Sequence, residues 1–166
     1  MILRSRKVLS VCALVCLLPV VASALGADMA MYMGGTVPGL TEKTEGKLTT
    51  SSDTALTFQS KYGAPVLIPY KSIGSLEYGQ KAGRRVGVAI LVSPLALFSK
   101  KRKHYLTIGY KDAKNADQAA IFELGKDIVR PTLTVLQVRT GKEIEFQDGE
   151  ACKQFRTPKE CDAPKK

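Results

Sequence analysis

The sequence predicts an α+β fold that is mostly β, with a bent antiparallel sheet or small barrel and one C-terminal amphipathic helix. Short runs of alternating apolar and polar residues recur from Thr44 to Leu124, and turn-forming residues separate them. After Asp127 the apolar residues change to helical spacing. With 166 residues, of which 45% are hydrophobic, the chain is long enough for one domain with a core and too short for two ordinary ones.

Residues 1–24 have the features of a secretory signal peptide. A basic stretch at 4–7 precedes an apolar run at 8–21, and Ala22-Ser23-Ala24 is a small-x-small cleavage pattern, with a second candidate cut at Ala27. The apolar run is short for a membrane-spanning helix, which needs about 20 residues, so an uncleaved anchor is the weaker alternative. We therefore expect an exported protein, periplasmic or extracellular, that can lie peripherally on a membrane.

A series of strands is expected in a domain at 44–147, most of them before the helix. Residues 25–43 show no periodicity and contain several glycines and prolines, so they are predicted to form a linker. Pro69 indicates a sheet edge or a strand end, because proline cannot donate a ladder hydrogen bond. The expected strands are 44–51, 55–60, 66–70, 73–78, 105–110 and 119–124, with a last short one at 143–147.

The helix is predicted over 127–140. Asp127 suits its first turn, Leu133 and Leu136 belong to its apolar stripe, and Gly141 is positioned as a C-terminal cap. One amphipathic helix after a series of strands would pack its apolar stripe against the sheet.

The residues after Asp148 are predicted to be a polar tail, 148–166, that contains two cysteines. The other two cysteines of the chain lie inside the signal peptide, so Cys152 and Cys161 remain as a pair. In an oxidising compartment a disulfide is the default interpretation. Free or intermolecular thiols and a two-thiol metal site are the alternatives, and the single histidine, His104, is far away in sequence. We expect no metal.

Soft strand patterns in the span 45–146 resemble the bacterial pleckstrin-homology-like and GRAM-like domains. This resemblance implies a seven-stranded β-barrel with a C-terminal helix across one end, and family members often bind lipid headgroups or proteins. The sequence departs from the family pattern by an insertion at 81–103. The residues that carry the resemblance are Gly46-Lys47-Leu48-Thr49, Leu56-Thr57-Phe58, Ile68-Pro69-Tyr70-Lys71-Ser72-Ile73, Leu76-Glu77-Tyr78-Gly79, Tyr105-Leu106-Thr107-Ile108 and Ile121-Phe122-Glu123-Leu124.

The insertion, here called the basic–apolar segment (residues 81–103), concentrates the positive charge of the protein. The chain has 25 Lys and Arg against 15 Asp and Glu, a formal net charge of +10. No acidic residue lies between Tyr78 and Lys111, and the 13 residues Val86–Phe98 carry no charge. A basic balance of this kind indicates an anionic partner. The candidate anion- or lipid-surface-binding residues are Lys81, Arg84, Arg85, Lys100, Lys101, Arg102 and Lys103.

Three interpretations of Val86–Phe98 are open. As a helix it would reach only about 20 Å against a bilayer core of about 30 Å, so it cannot span a membrane. It can be an element at the membrane interface, a pair of buried strands, or a contact between copies of the chain in a homo-oligomer. The candidate membrane or partner contacts are Val88, Ile90, Leu91, Leu95, Leu97 and Phe98.

No residue pattern predicts a reaction. The serines do not form a G-x-S-x-G elbow, the glycines do not form a phosphate loop, and His104 beside four cations has no nucleophile in view and is expected to be neutral. We expect no catalytic residue, no cofactor and no nucleic-acid partner. The predicted function is an exported, non-enzymatic binding module that attaches to an anionic membrane surface or a protein partner. The alternative is a structural or assembly subunit of the cell envelope that uses Val86–Phe98 as its interface.

Overall fold

The protein is an α+β fold dominated by one mixed sheet of eight strands. The computed structural model describes Gly26, residues 29–80 and residues 103–161, so the predictions for the signal peptide and for Lys81–Arg102 lie outside the described residues. The strands are β1 Ala30–Gly35, β2 Thr44–Thr49, β3 Ala55–Ser60, β4 Val66–Pro69, β5 Ile73–Gly79, β6 His104–Lys111, β7 Asp117–Leu124 and β8 Ile144–Phe146. The helices are a 3-10 turn at Tyr70–Ser72, α1 Lys126–Thr140, α2 Gly149–Phe155 and α3 Pro158–Cys161.

The strand order is β4-β3-β2-β1-β7-β6-β5-β8. All neighbours pair antiparallel except β5 and β8, which are parallel. The α+β class and its β-rich character are therefore confirmed, whereas the sheet is mixed where an antiparallel one was expected. The parallel pair arises because α1 carries the chain back across the sheet before β8 begins, as a crossover connection does.

A strand lies inside the region that the sequence predicts to be a linker. β1 pairs with both β2 and β7, so it is an interior strand of the sheet. Tyr32 is buried against the main core, and Met33 packs with Tyr105 and Ile121 on the opposite face. The linker prediction is wrong for Ala30–Gly35 because a strand that is covered on both faces need not alternate between apolar and polar residues.

The strand β1 ends at a glycine that no other residue could replace without strain. Gly35 has a φ of +131°, and a Cβ atom added there would lie 2.2 Å from the carbonyl oxygen of Ala119. The missing side chain therefore allows β1 and β7 to approach each other at this point.

The helix α1 lies on one face of the sheet and completes the main core. Val129, Leu133 and Leu136 are buried, and they belong to one cluster with Phe58 and Phe122 of the sheet. The helix begins one residue earlier than predicted and ends where predicted, with Gly141 in the left-handed conformation (φ 64°) as its cap.

The other face of the sheet buries polar groups beside a small apolar cluster. Thr107 and Glu123 are buried there along with Glu77. Both carboxylate oxygens of Glu77 are inaccessible and have no hydrogen-bond partner among the described residues. This face is therefore chemically different from the one that α1 covers.

The polar tail expected at 148–166 contains two short helices in the described part. The side chain of Asp148 caps α2 by accepting a hydrogen bond from the Ala151 backbone N–H at 2.8 Å. Ala151 and Cys152 are buried, so α2 packs onto the domain. Among the described residues, no helix is long and apolar enough to cross a membrane.

Candidate functional site

The two ends of the basic–apolar segment emerge from one end of the sheet. β5 ends at Gly79, β6 begins at His104, and the two strands pair antiparallel with Gly79 opposite Tyr105. Paired residues of this kind have Cα atoms about 5 Å apart. The segment therefore connects two paired strands, and the strand ends on either side of it are neighbours.

Lys103 is the one predicted site cation within the described residues, and it has a partner in the protein. Its Nζ lies 2.7 Å from Oε2 of Glu123, a β7 side chain that is only 9% exposed. An almost buried carboxylate requires a partner because burial of an isolated charge is costly. Lys103 therefore compensates Glu123 and holds the end of the segment to the sheet.

The other predicted site residues lie outside the described residues, so their placement is not part of the observed site. They are the cations Lys81, Arg84, Arg85, Lys100, Lys101 and Arg102, and the contact residues Val88, Ile90, Leu91, Leu95, Leu97 and Phe98.

A hydrogen-bonded cluster of three side chains lies next to the strand ends that flank the segment. The hydroxyl of Tyr78 donates to Oε1 of Gln154 at 2.8 Å and lies 2.6 Å from Nδ1 of His104. Because the hydroxyl has only one proton, Nδ1 must be the donor of the second bond. The cluster joins β5, β6 and α2.

Burial sets the protonation of this cluster. Desolvation lowers the pKa of His104 below its ordinary value, although the hydrogen bond that the imidazole donates to Gln154 and the charge of Glu123 act in the opposite direction. Desolvation also raises the pKa of Tyr78 to about 12. Burial is therefore the main reason that the pKa of His104 is lowered. Nothing in the sequence indicates the cluster, since Gln154 comes from the predicted tail.

The predicted disulfide is confirmed. Cys152 of α2 and Cys161 of α3 are bonded, with their Cα atoms 5.7 Å apart. The alternatives of free thiols and of a two-thiol metal site are wrong. A disulfide is compatible with an exported protein, because such bonds persist in oxidising compartments. Within the ranges that the structure describes, no group of three or more potential ligands could hold a metal ion.

Two of the clefts in the described part of the molecule have volumes in the range of small-molecule sites. The larger one, of about 810 Å³, lies between the β1–β2 and β3–β4 connections, and Lys43, Lys61 and Tyr62 are among its lining residues. The second, of about 600 Å³, lies between α1 and the α2–α3 unit. Sequence reasoning missed both because each is assembled from connections that are distant in sequence or from the predicted tail.

Comparison with known proteins finds no family model that matches this chain and no curated protein with significant similarity.

Proposed function

We propose that the protein is an exported, non-enzymatic binding module that attaches to an anionic membrane surface through its basic–apolar segment. The observation that carries the proposal is the pairing of Gly79 with Tyr105, which brings both ends of the segment to one end of the sheet. The two basic clusters, although separated in sequence, are therefore both attached close to neighbouring strand ends.

The charge pattern of the segment suits this role. Arg84 lies five residues after Gly79, and Lys101 lies three residues before His104. The length of the chain therefore keeps each of them within about 20 Å of the strand end to which it is attached. Each cation near an anionic surface contributes on the order of 1 kcal/mol. Because Lys103 is paired with Glu123, the proposal depends on six cations: Lys81, Arg84, Arg85, Lys100, Lys101 and Arg102.

The uncharged stretch Val86–Phe98 supplies the second part of the binding. It lies between the two basic clusters, so apolar residues would enter the interfacial region while the cations contact phosphates. Two signals of this kind, one apolar and one electrostatic, together give stable attachment where one alone gives reversible binding.

A pleckstrin-homology-like or GRAM-like origin of the fold supports a binding role. The order of β2–β7 followed by α1 agrees with strands that precede one C-terminal helix. The eight-stranded mixed sheet, with β1 in its interior and a parallel β8, differs from the seven-stranded barrel of those families. We therefore propose that the chain is related to these families, because the order of its elements and its strand patterns are similar to theirs.

A flotation experiment with lipid vesicles tests the proposed function. We expect the protein to float with vesicles that contain phosphatidylglycerol at low salt, and not with phosphatidylcholine alone. The double variant Lys100→Glu/Lys101→Glu should weaken vesicle binding at least about thirtyfold, since it removes two attractions of about 1 kcal/mol each and adds repulsion. The matched control is Lys71→Glu/Lys142→Glu, which reverses two exposed charges elsewhere.

The outcomes separate the candidate functions. Failure to bind anionic vesicles at low salt, or equal loss in both double variants, would overturn the membrane proposal and leave a protein partner. A stable oligomer in light scattering that is lost on Leu95→Asp/Leu97→Asp substitution would instead favour the assembly subunit.

A further inference from the structure

The groove between α1 and the α2–α3 unit concentrates positive charge that the basic–apolar segment does not supply. Its volume is about 600 Å³, in the range of small-molecule sites, which is roughly 300–1,000 Å³. We propose that this groove, here called the basic groove, binds a phosphate-bearing anion. Its lining residues are Arg130, Gln137, Lys153, Phe155, Arg156, Thr157 and Glu160.

Three cations face one acid in the basic groove. Arg130 comes from α1, Lys153 from α2, and Arg156 follows α2 directly. Among the ion pairs between described residues, none involves Arg130 or Lys153. Their charges are therefore available to a ligand.

Glu160, the single acid among the lining residues, already accepts two hydrogen bonds from Thr157. Oε2 of Glu160 accepts hydrogen bonds from the backbone N–H of Thr157 at 2.8 Å and from its hydroxyl at 2.7 Å. These bonds and the charge of Arg156 lower the pKa of Glu160, so it is ionised near neutral pH. The groove keeps an excess of two positive charges, which suits a dianion better than a single carboxylate.

Arg156 is positioned for a planar, two-point contact. Its guanidinium carbon lies 5.3 Å from the centre of the Phe146 ring, and that ring lies 5.9 Å from Phe155. Stacking on an aromatic face fixes the plane of the guanidinium and leaves its edge free to donate two parallel hydrogen bonds. Phosphate oxygens match this fork.

The α2–α3 wall of the groove is held in place by a disulfide and by a hydrogen bond to the sheet. The Cys152–Cys161 disulfide closes it, and Gln154 accepts a hydrogen bond from Tyr78 of the sheet. A wall that is fixed before binding reduces the entropy lost when a ligand binds.

A binding experiment with two probes tests the groove and identifies the source of the phosphate. We expect pyrophosphate to bind the disulfide-bonded protein in calorimetry, or vesicles with phosphatidic acid, whose headgroup is a phosphate monoester, to bind it in flotation. The triple variant Arg130→Gln/Lys153→Gln/Arg156→Gln should weaken whichever probe binds at least tenfold. Loss of pyrophosphate binding identifies a soluble phosphate compound as the ligand class, whereas loss of vesicle binding alone identifies a lipid headgroup.

A matched control makes the result specific to the groove. The triple variant Lys47→Gln/Lys71→Gln/Lys142→Gln removes the same charge from exposed positions outside it. Equal weakening in both triple variants, or no binding of either probe by the unmodified protein, would overturn the proposal. Since the groove variant keeps every residue of the basic–apolar segment, its result is distinguishable from failure of the proposed function.

Discussion

The hydroxyl oxygen of Tyr78 and Nδ1 of His104 lie 2.6 Å apart, and their rings are nearly parallel at 6.2 Å between centres. This contact joins the penultimate residue of β5 to the first residue of β6, beside the strand ends that flank the basic–apolar segment. Gln154 extends the contact to α2. The protonation of one histidine is thereby linked to the packing of three elements.

The buried histidine predicts that stability decreases on mild acidification. The unfolded chain protonates its histidine near the ordinary pKa of 6.5, whereas burial lowers the pKa of His104 in the folded state. Below 6.5 the unfolded state therefore binds more protons, and the free energy of unfolding falls as the pH drops through the folded pKa. Thermal unfolding from about pH 7.5 to about pH 5 should show this loss.

His104→Gln is the matched control for this pH dependence. His104 is the single histidine of the chain, and the pKa values of Asp112 and Glu160 are lowered, so these carboxylates titrate further into the acid range. The variant should therefore lose much less stability than the unmodified protein over the same range. An unchanged slope in the variant would show that another group is responsible.

The disulfide is expected to stabilise the protein by about 2–3 kcal/mol, since it closes a short loop of the unfolded chain. α2 and α3 have seven and four residues, and helices this short do not persist alone in water. Denaturant unfolding of a Cys152→Ala/Cys161→Ser variant measures the loss. A reducing agent should produce a similar shift in the unmodified protein and none in the variant. Resistance of the unmodified protein to reductant would contradict this prediction.

Arg139 is expected to hold the end of α1 to the β2–β3 turn. Its guanidinium donates to the carbonyl oxygens of Thr50 and Ser52 and stacks at 5.3 Å over the ring of Tyr70. Arg139→Lys should cost about 1–2 kcal/mol, because a lysine cannot reproduce the fork or the stacking. Urea unfolding measures the change.

Two other variants separate the parts of this contact. The ion pair of Arg139 with Asp53 is weak by comparison, since Asp53 is 93% exposed, and Asp53→Asn should cost below about 0.5 kcal/mol. Arg130→Lys on the same helix should be nearly neutral. If Asp53→Asn costs as much as Arg139→Lys, the carbonyl contacts are not the main contribution.

Gly35→Ala is expected to be among the most damaging small substitutions. The added Cβ would overlap the carbonyl oxygen of Ala119 and would also have to adopt a strained φ, so we expect a loss of at least about 2–3 kcal/mol. Gly141→Ala provides the comparison, because Gly141 also has a positive φ but no atom within 4 Å of the added Cβ. It should cost about 1 kcal/mol. Equal losses in denaturant unfolding would rule out the overlap as the cause.

Local patterns predicted those elements that have one buried and one exposed face. Strand β3 has the expected bounds, and α1 differs from its prediction by one residue, because alternation and helical spacing record which face is buried. β1 was missed because both of its faces are covered. The parallel pairing of β8 depends on the path of the chain after α1, which periodicity does not encode.

The positive charge of the candidate site could be predicted from the sequence, whereas the contacts of its residues could not. The run of basic residues before His104 is evident in the sequence. Its last member, Lys103, forms an ion pair with Glu123 of the neighbouring strand β7, which the sequence does not indicate. The burial of Glu77 could not be predicted either, since a glutamate in an alternating strand normally indicates the solvent-exposed face. The basic groove needed residues from the predicted tail to come next to α1.

The interior position of β1 has a consequence for how the protein folds. While the chain is being synthesised, β1 can pair with β2 at once, but its other edge stays unpaired until β7 has been made, because Ala30 pairs with Leu124. Such long-range pairing is slow, and an unpaired edge is a template for aggregation. We therefore expect the β1 edge to stay exposed until β7 has been made, so a chaperone that covers this edge should raise the yield of folded protein.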